Sequence, residues 1–312
     1  MRGLLVRALS GFFTVKTTDG HYVCHLRGKL KSGPRLGDLA AIGDWVEITA
    51  LKRPLDPESL DPQWAGTGVI ETIEPRQRML IRMAPTPRGE YRQIIVSNPD
   101  QALFVFACSQ PDPHLGMLDR FLVIAEKQEI PAVIVANKCD LVEDEQAQVL
   151  FGRYTSLGYP VIYTSVRSGQ GLTELGRCLQ DKISVFAGPS GVGKSSMLNK
   201  VQPGLGLAVR EVSDTTRKGR HTTVNRQLFA LNTGGFIADT PGLKALALWD
   251  MDAEELDGYF PEIRNLVAHC TYNDCRHVDE PGCAVLQALA QGKIHPERYQ
   301  SYIRMRLGNN EE

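Results

Sequence analysis

Hydrophobic and polar positions follow two different rhythms along the chain. Up to about residue 96, short alternating or β-rich runs at 11–18, 22–26, 44–50 and 68–73 are separated by turn-forming stretches at 31–37 and 54–63. Short strands at this spacing predict a small β-barrel. The basic, proline-bearing stretch 76–92 reads as a loop or linker after the barrel. From about residue 97, apolar runs at 102–108, 132–136, 161–163, 183–186 and 236–238 alternate with helical stretches such as 115–128 and 172–182. That alternation predicts βαβ units around a mostly parallel sheet. Beyond about residue 250 the strand pattern stops, and helical stretches at 284–291 and 297–307 predict a small α-helical tail. The expected division is 1–96, 97–250 and 251–312.

Composition narrows the setting. With 42% hydrophobic and 23% charged residues in 312, the chain can bury sizeable cores in two or three domains. No apolar run reaches the roughly 18–20 residues of a membrane span. Residues 1–13, interrupted by Arg7, lack the apolar centre of a secretory signal, so a cytoplasmic protein with no membrane partner is expected. Of seven cysteines, Cys24, Cys108, Cys139 and Cys178 are scattered singly, which is no disulfide framework. The net charge of −1 hides an asymmetry: residues 1–98 hold 14 Lys and Arg against 10 Asp and Glu, a balance of +4, leaving the remainder at −5. A mildly basic first domain permits contact with RNA without requiring it.

The first chemical motif is Gly188-Pro189-Ser190-Gly191-Val192-Gly193-Lys194-Ser195, a full match to GxxxxGK[ST]. An apolar strand leads in, and a helical run starting at Ser196 leads out. Glycines let successive backbone N–H groups converge on phosphate oxygens that side chains would obstruct. Lys194 is placed to reach the β- and γ-phosphates, and the Ser195 hydroxyl to hold Mg²⁺. Downstream, Asp239-Thr240-Pro241-Gly242 follows an apolar run; a carboxylate there can bind Mg²⁺ through water, and the Gly242 N–H can read the γ-phosphate. Between them, residues 217–223 include Thr222 and Thr223, each a candidate for the threonine by which a switch loop senses Mg²⁺ and γ-phosphate, with Thr223 preferred.

The second motif is Asn137-Lys138-Cys139-Asp140, again directly after an apolar run. Asp140 can accept from guanine N1–H and the exocyclic amine. Adenine offers neither, so a buried Asp140 would discriminate against ATP. Asn137 can brace the loop, and the Lys138 stem can lie over the base. Thr164-Ser165-Val166 supplies a further loop for the base, with Ser165 the candidate contact. The guanine motifs precede the phosphate loop, the reverse of the usual GTPase order, and circular permutation explains this.

A third cluster, Cys270-x4-Cys275-x-His277-x5-Cys283, gathers three thiols and one imidazole within 14 residues. Cys₃His is a recurring closed set for structural Zn²⁺, whose tetrahedral shell it completes. Free buried cysteines or a local disulfide are the plainer alternatives; His269 is read as a bystander.

Together these parts closely resemble the ribosome small-subunit-dependent GTPase A family over essentially the whole chain. The sharpest marks are the guanine motif preceding the phosphate loop, the Gly219-Arg220-His221-Thr222-Thr223 segment and the Cys/His spacing. The resemblance implies an N-terminal OB-fold, a circularly permuted GTPase and a C-terminal zinc-binding region. It also implies binding to the small ribosomal subunit and its rRNA late in maturation, with GTP hydrolysis to GDP stimulated by the subunit and coupled to release. Leu243 stands where many GTPases carry a water-orienting glutamine. The resemblance assigns that role to His221, which otherwise reads as an RNA-contacting or solvated loop residue. Val224 departs from the threonine common in the family. Two other readings stay open: a permuted GTPase serving another RNA or protein assembly, and an RNA-binding module with a non-catalytic GTP site. No DNA partner is indicated, and a monomer is expected.

Overall fold

The computed structural model describes residues 1–31, 38–51, 64–86, 89–205, 226–239 and 252–308. Five strands form the N-terminal barrel: β1 (Arg2–Leu9), β2 (Phe12–Thr17), β3 (Gly20–Leu26), β4 (Trp45–Leu51) and β5 (Trp64–Ile73). The pairings run β1–β2–β3–β5–β4 and close through β4–β1, so the sheet returns on itself. Alternation sets its inside: Phe13 and Val15 of β2, and Val46 and Ile48 of β4, are buried between exposed or half-buried neighbours. Asp44, fully buried, accepts from Arg76 Nε at 2.7 Å and Nη2 at 2.8 Å, which ties the barrel to the segment that follows.

That following segment differs from expectation. Residues read as a linker form a hairpin, β6 (Met79–Thr86) with β7 (Gly89–Ser97), in a separate two-stranded sheet. Leu80, Ile94 and Val96 are buried, while Arg82 pairs across the strands with Gln93 at 2.6 Å. Arginines and prolines along the ribbon mask the alternation that Leu80 and the distant Val96 carry.

Six strands build the α/β unit, in the order β10 (Val161–Tyr163), β9 (Ala132–Asn137), β8 (Gln101–Ala107), β11 (Ile183–Ala187), β13 (Phe236–Asp239) and β12 (Arg226–Ala230). All neighbours are parallel except β12 and β13. β8 is buried throughout because both faces are covered. Ala102, Phe104 and Phe106 enter one core with Phe121 and Leu122 of α1 (Leu115–Lys127) and Phe151 of α2 (Asp144–Thr155). Leu103, Val105 and Ala107 enter the other, with Leu175 of α3 (Leu172–Leu179) and Met197 of α4 (Lys194–Val201). β12 also pairs with β1, Arg7 opposite Gln227 and Ala8 opposite Arg226, so barrel and α/β unit share one eleven-stranded sheet.

The C-terminal region, 252–308, is built from α5 (Pro261–Arg264), α6 (Ala284–Ala290), α7 (Pro296–Arg306) and short 3-10 turns around a third core of Leu256, Phe260, Ile263, Val285 and Tyr302. Val123 of α1 joins that core. Arg298 of α7, 2% exposed, donates to Asp119 of α1 at 2.7 Å and to Glu262 at 2.7 and 3.2 Å. Asp119 also accepts from Tyr154 Oη at 2.8 Å, and the guanidinium lies 4.6 Å over the Phe260 ring. Burial alone would lower the Arg298 pKa; the charges and hydrogen bonds of Asp119 and Glu262 outweigh it and leave the pKa raised.

Removing one member of a buried ion network strands the others in a medium that cannot solvate them. Arg298→Met should therefore lower unfolding free energy by about 3–5 kcal/mol. The half-exposed pair Arg264–Glu126 sets the contrast, and Arg264→Met should change stability by less than about 1 kcal/mol. Urea denaturation of both variants checks this; equal effects would refute the clamp.

Candidate functional site

Both nucleotide motifs leave the parallel sheet at its C-terminal edge, where α/β sheets bind ligands. The phosphate loop connects β11 to α4. Gly188 sits against β8, where a Cβ would collide with the Val105 carbonyl oxygen. Gly193 caps α4 at φ +93°, in the left-handed region, and a Cβ there would lie 2.6 Å from Asn137 Nδ2. Pro189, Gly191 and the first-turn residues Ser195 and Ser196 are half-buried, Val192 is buried and Ser190 is exposed. Lys194 Nζ donates to the carbonyls of Gly188 at 2.8 Å and Pro189 at 2.5 Å, so the ammonium is held at the mouth of its own loop.

The guanine motif begins on the last residue of β9. Asn137, 1% exposed, donates through Nδ2 to the Val192 carbonyl at 2.8 Å and accepts at Oδ1 from the Thr164 hydroxyl at 3.1 Å. One amide thus joins three loops that are distant in sequence. Lys138 adopts φ +61° and its ammonium donates to the Gln110 carbonyl. Asp140 Oδ1 accepts from the Ser165 hydroxyl at 2.6 Å, and Ser165 Oγ accepts from Ser168 N at 3.1 Å. The 164–166 loop is therefore seated beside the motif. Cys139 bonds through its backbone N–H to the Thr164 carbonyl at 3.2 Å, while its thiol points inward and is buried. Asp239 closes β13, with its Cα opposite Gln227. His221, Thr222, Thr223 and Gly242 lie outside the described residues.

Cys270, Cys275, His277 and Cys283 converge, their ligand atoms all within 4.8 Å of one another. His277 Nδ1 lies 3.6 Å from Cys270 Sγ and 3.4 Å from Cys283 Sγ. A tetrahedral shell with metal–sulfur and metal–nitrogen bonds of about 2.3 and 2.0 Å requires N···S separations of about 3.5 Å. The donor set fits a metal. Burial pushes the Cys275 thiol up to about 12, so a cation is what would make it a thiolate ligand at neutral pH. His277 is fully buried, and its Nε2 lies 3.3 Å from Asp257 Oδ2 without the angle of a full hydrogen bond. Asp257 is itself held by Tyr302 Oη at 2.5 Å and Arg306 Nη1 at 2.6 Å. This carboxylate behind an imidazole orients such ligands. Sequence reasoning missed Asp257 because nothing in its own neighbourhood points to His277, 20 positions on. His269 is outside the cluster.

A phosphate loop and a guanine loop at one sheet edge, in reversed chain order, with a barrel before them and a Cys₃His region after, define a circularly permuted GTPase. Models of the RsgA N-terminal domain and the RsgA GTPase match residues 2–53 and 73–249, and the chain belongs to the RsgA family. It is 44% identical over 306 residues to the small ribosomal subunit biogenesis GTPase RsgA of Gemmatimonas aurantiaca, covering 97% of this chain and 96% of that one. It is similar at 35% identity to RsgA 2 of Bacteroides thetaiotaomicron, over 100% of this chain and 98% of the other. Among solved structures, YjeQ from Thermotoga maritima superposes with a TM-score of 0.76 at 34% identity, over 100% and 99% of the two chains. YloQ, described as a circularly permuted GTPase, gives 0.73 at 32%, over 98% and 94%.

Asn137→Ala leaves the Val192 carbonyl and the Thr164 hydroxyl without their partner. It should lower stability by about 1–3 kcal/mol and weaken GDP binding in the same protein. Paired denaturation and nucleotide titration test this, and normal values in both would refute the brace.

Proposed function

We propose that this GTPase binds the small ribosomal subunit late in its maturation, hydrolyses GTP to GDP and phosphate when the subunit stimulates it, and leaves on hydrolysis. The observation that carries this reading is the Asn137 bridge, which holds an intact phosphate loop against an intact guanine loop. The names of the relatives, small ribosomal subunit biogenesis GTPases, support the choice of partner. The barrel and the Cys₃His region flank the GTPase as two surfaces for rRNA, and the working division is 1–96, 97–250 and 251–312.

In this reading Asp140 accepts from guanine N1–H and its exocyclic amine, with Ser165 fixing the carboxylate and Asn137 and Lys138 framing the base. The backbone of 188–193 receives the phosphates, Lys194 turns from its own carbonyls to the β- and γ-phosphates, and Ser195 with Asp239 holds Mg²⁺. Thr223, or Thr222, and Gly242 sense the γ-phosphate; His221 orients the attacking water. Zn²⁺ at Cys270, Cys275, His277 and Cys283 is structural, because four protein ligands leave no open position. The protein acts as a cytoplasmic monomer.

Turnover measured alone, with small subunits and with large subunits should rise selectively with the small subunit. No rise with either would mean that the partner is another assembly. His221→Ala should retain GTP binding and lose the stimulated turnover; undiminished stimulation would remove His221 from the mechanism.

Metal removal probes the C-terminal region separately. A strong chelator should release one Zn²⁺ per chain, with loss of helical circular dichroism and new protease cleavage within 252–308. Asp257→Ala should weaken Zn²⁺ binding about 10–100-fold. Retention of helix and protease resistance after complete metal loss would show that the metal does not organise this region.

A further inference from the structure

The thiols of Cys108 and Cys139 lie 3.6 Å apart, sulfur to sulfur, beneath the guanine loop. Both residues are buried, in the loops that leave two neighbouring parallel strands. Cys108 directly follows β8, and Cys139 lies two residues beyond the end of β9. The strand register brings the two loops together: Ala107 stands opposite Asn137, the Cys108 N–H donates to the Asn137 carbonyl at 2.8 Å, and Cys139 opens the short 3-10 turn that follows Lys138. A disulfide needs about 2.05 Å between sulfurs, a closure of about 1.5 Å that side-chain rotation and a small loop shift can supply. Cys139 Sγ also lies 3.2 Å from the Ala136 carbonyl; Cys24 Sγ contacts the Tyr22 carbonyl and Cys178 Sγ contacts Gln101, and neither of those contacts is with a second thiol.

The pair is chemically unequal. The hydrogen bond the two sulfurs share lowers the pKa of Cys139, against the effect of burial, and raises that of Cys108. Cys139 is thus the more readily ionised of the two, and thiolate character selects which sulfur is oxidised first.

We propose that Cys108 and Cys139 are a reversible oxidation site, in which a disulfide formed by peroxide weakens guanine-nucleotide binding. The Cys139 thiolate attacks one peroxide oxygen; an S–O bond forms, the O–O bond breaks and hydroxide leaves to be protonated as water. Cys108 sulfur then attacks the sulfenic sulfur of Cys139, forming S–S and breaking S–O, and the departing hydroxyl takes the Cys108 proton as a second water. The two thiols lose two electrons to the peroxide, and a dithiol reductant reverses the linkage by exchange.

The consequence rests on the reading of residues 137–140 as the guanine site. Cys139 lies between Lys138 and Asp140, so drawing its sulfur toward β8 shifts both residues. Asp140 loses its alignment with Ser165, and Lys138, anchored on the Gln110 carbonyl two residues past Cys108, is pulled from the same side.

The test uses the full-length zinc-loaded chain, free of nucleotide, treated with hydrogen peroxide. Peptide mass analysis after alkylation should find Cys108 joined to Cys139 with loss of two hydrogens. Affinity for a fluorescent GDP analogue should fall about tenfold and return with dithiothreitol. Cys108→Ser, or Cys108→Ala should the hydroxyl disturb folding, should keep its affinity under peroxide, while Cys178→Ser should respond like the parent. Absence of the linked pair, or a linked pair with unchanged affinity, would overturn the proposal. Failure of the reduced protein to bind GDP would overturn the guanine-site reading and the regulatory role with it, while the mass measurement decides the linkage by itself.

Discussion

The register of β8 between β9 and β11 is the constraint on which the GTPase depends. Ala107 pairs with Asn137 on one side, and Phe104 with Ala187 on the other, so both neighbouring strands end on the same edge. The guanine loop and the phosphate loop are the next residues out from those ends. Their proximity is thus a property of the sheet and not of chain order, which is why a permuted chain keeps the site. The Asn137 amide fixes the remaining freedom by bridging the two loops, and Gly193 must be a glycine to admit it. Slipping β8 by one residue would exchange Phe104 and Phe106 for Leu103 and Val105 between the two cores, so the burial of large side chains enforces the register.

A second constraint lies where β12 meets β1. β12 begins at Arg226, directly after the segment that holds His221, Thr222 and Thr223, and it pairs with β13, which ends at Asp239. Its other edge is hydrogen-bonded to the barrel. Arg226 also donates to Asp38 at 2.7 Å and to the Ile94 carbonyl at 2.8 Å, and Asp38 accepts from Tyr91 Oη at 2.9 Å and from Ile94 N at 3.1 Å. Barrel, hairpin and the strand β12 therefore meet at one carboxylate. A displacement of the barrel cannot leave β12 in place without breaking the backbone pairing of β1 with β12.

Legibility in the sequence followed the range of the interactions. The phosphate loop, the guanine motif and the Cys₃His spacing are local patterns, and the structure brings Asn137, Asp140 and Ser165 together, and the four Cys/His residues together, as those patterns imply. The buried strands β8, β9 and β11 were readable as apolar runs because helices cover both faces. β1 escapes the alternation pattern, because Leu4, Leu5 and Val6 are all buried in succession. The β6–β7 hairpin is hidden by arginine and proline on a two-stranded ribbon, where Leu80 pairs with Val96 from 16 positions away and both join the core that the rest of the chain builds. Asp257 and Arg298 were invisible for the same reason. Each acquires its role from partners that folding delivers from other helices.

Arg298 shows what such non-local placement accomplishes. A Cys₃His centre can order only the residues close to it, and the region from 252 to 308 is too short to bury a large core alone. Its core is completed by Val123 of α1, and its orientation is set by Arg298 reaching Asp119 on the same helix. The other face of α1 carries Phe121 into the core beneath β8, where Phe104 and Phe106 meet it with ring centroids 5.4 and 6.2 Å apart. One helix therefore has the GTPase core on one side and the Cys₃His region on the other. Close packing on both faces leaves α1 little room to shift against either core. The C-terminal region and the core beneath the nucleotide-binding edge are thus packed on opposite faces of one helix.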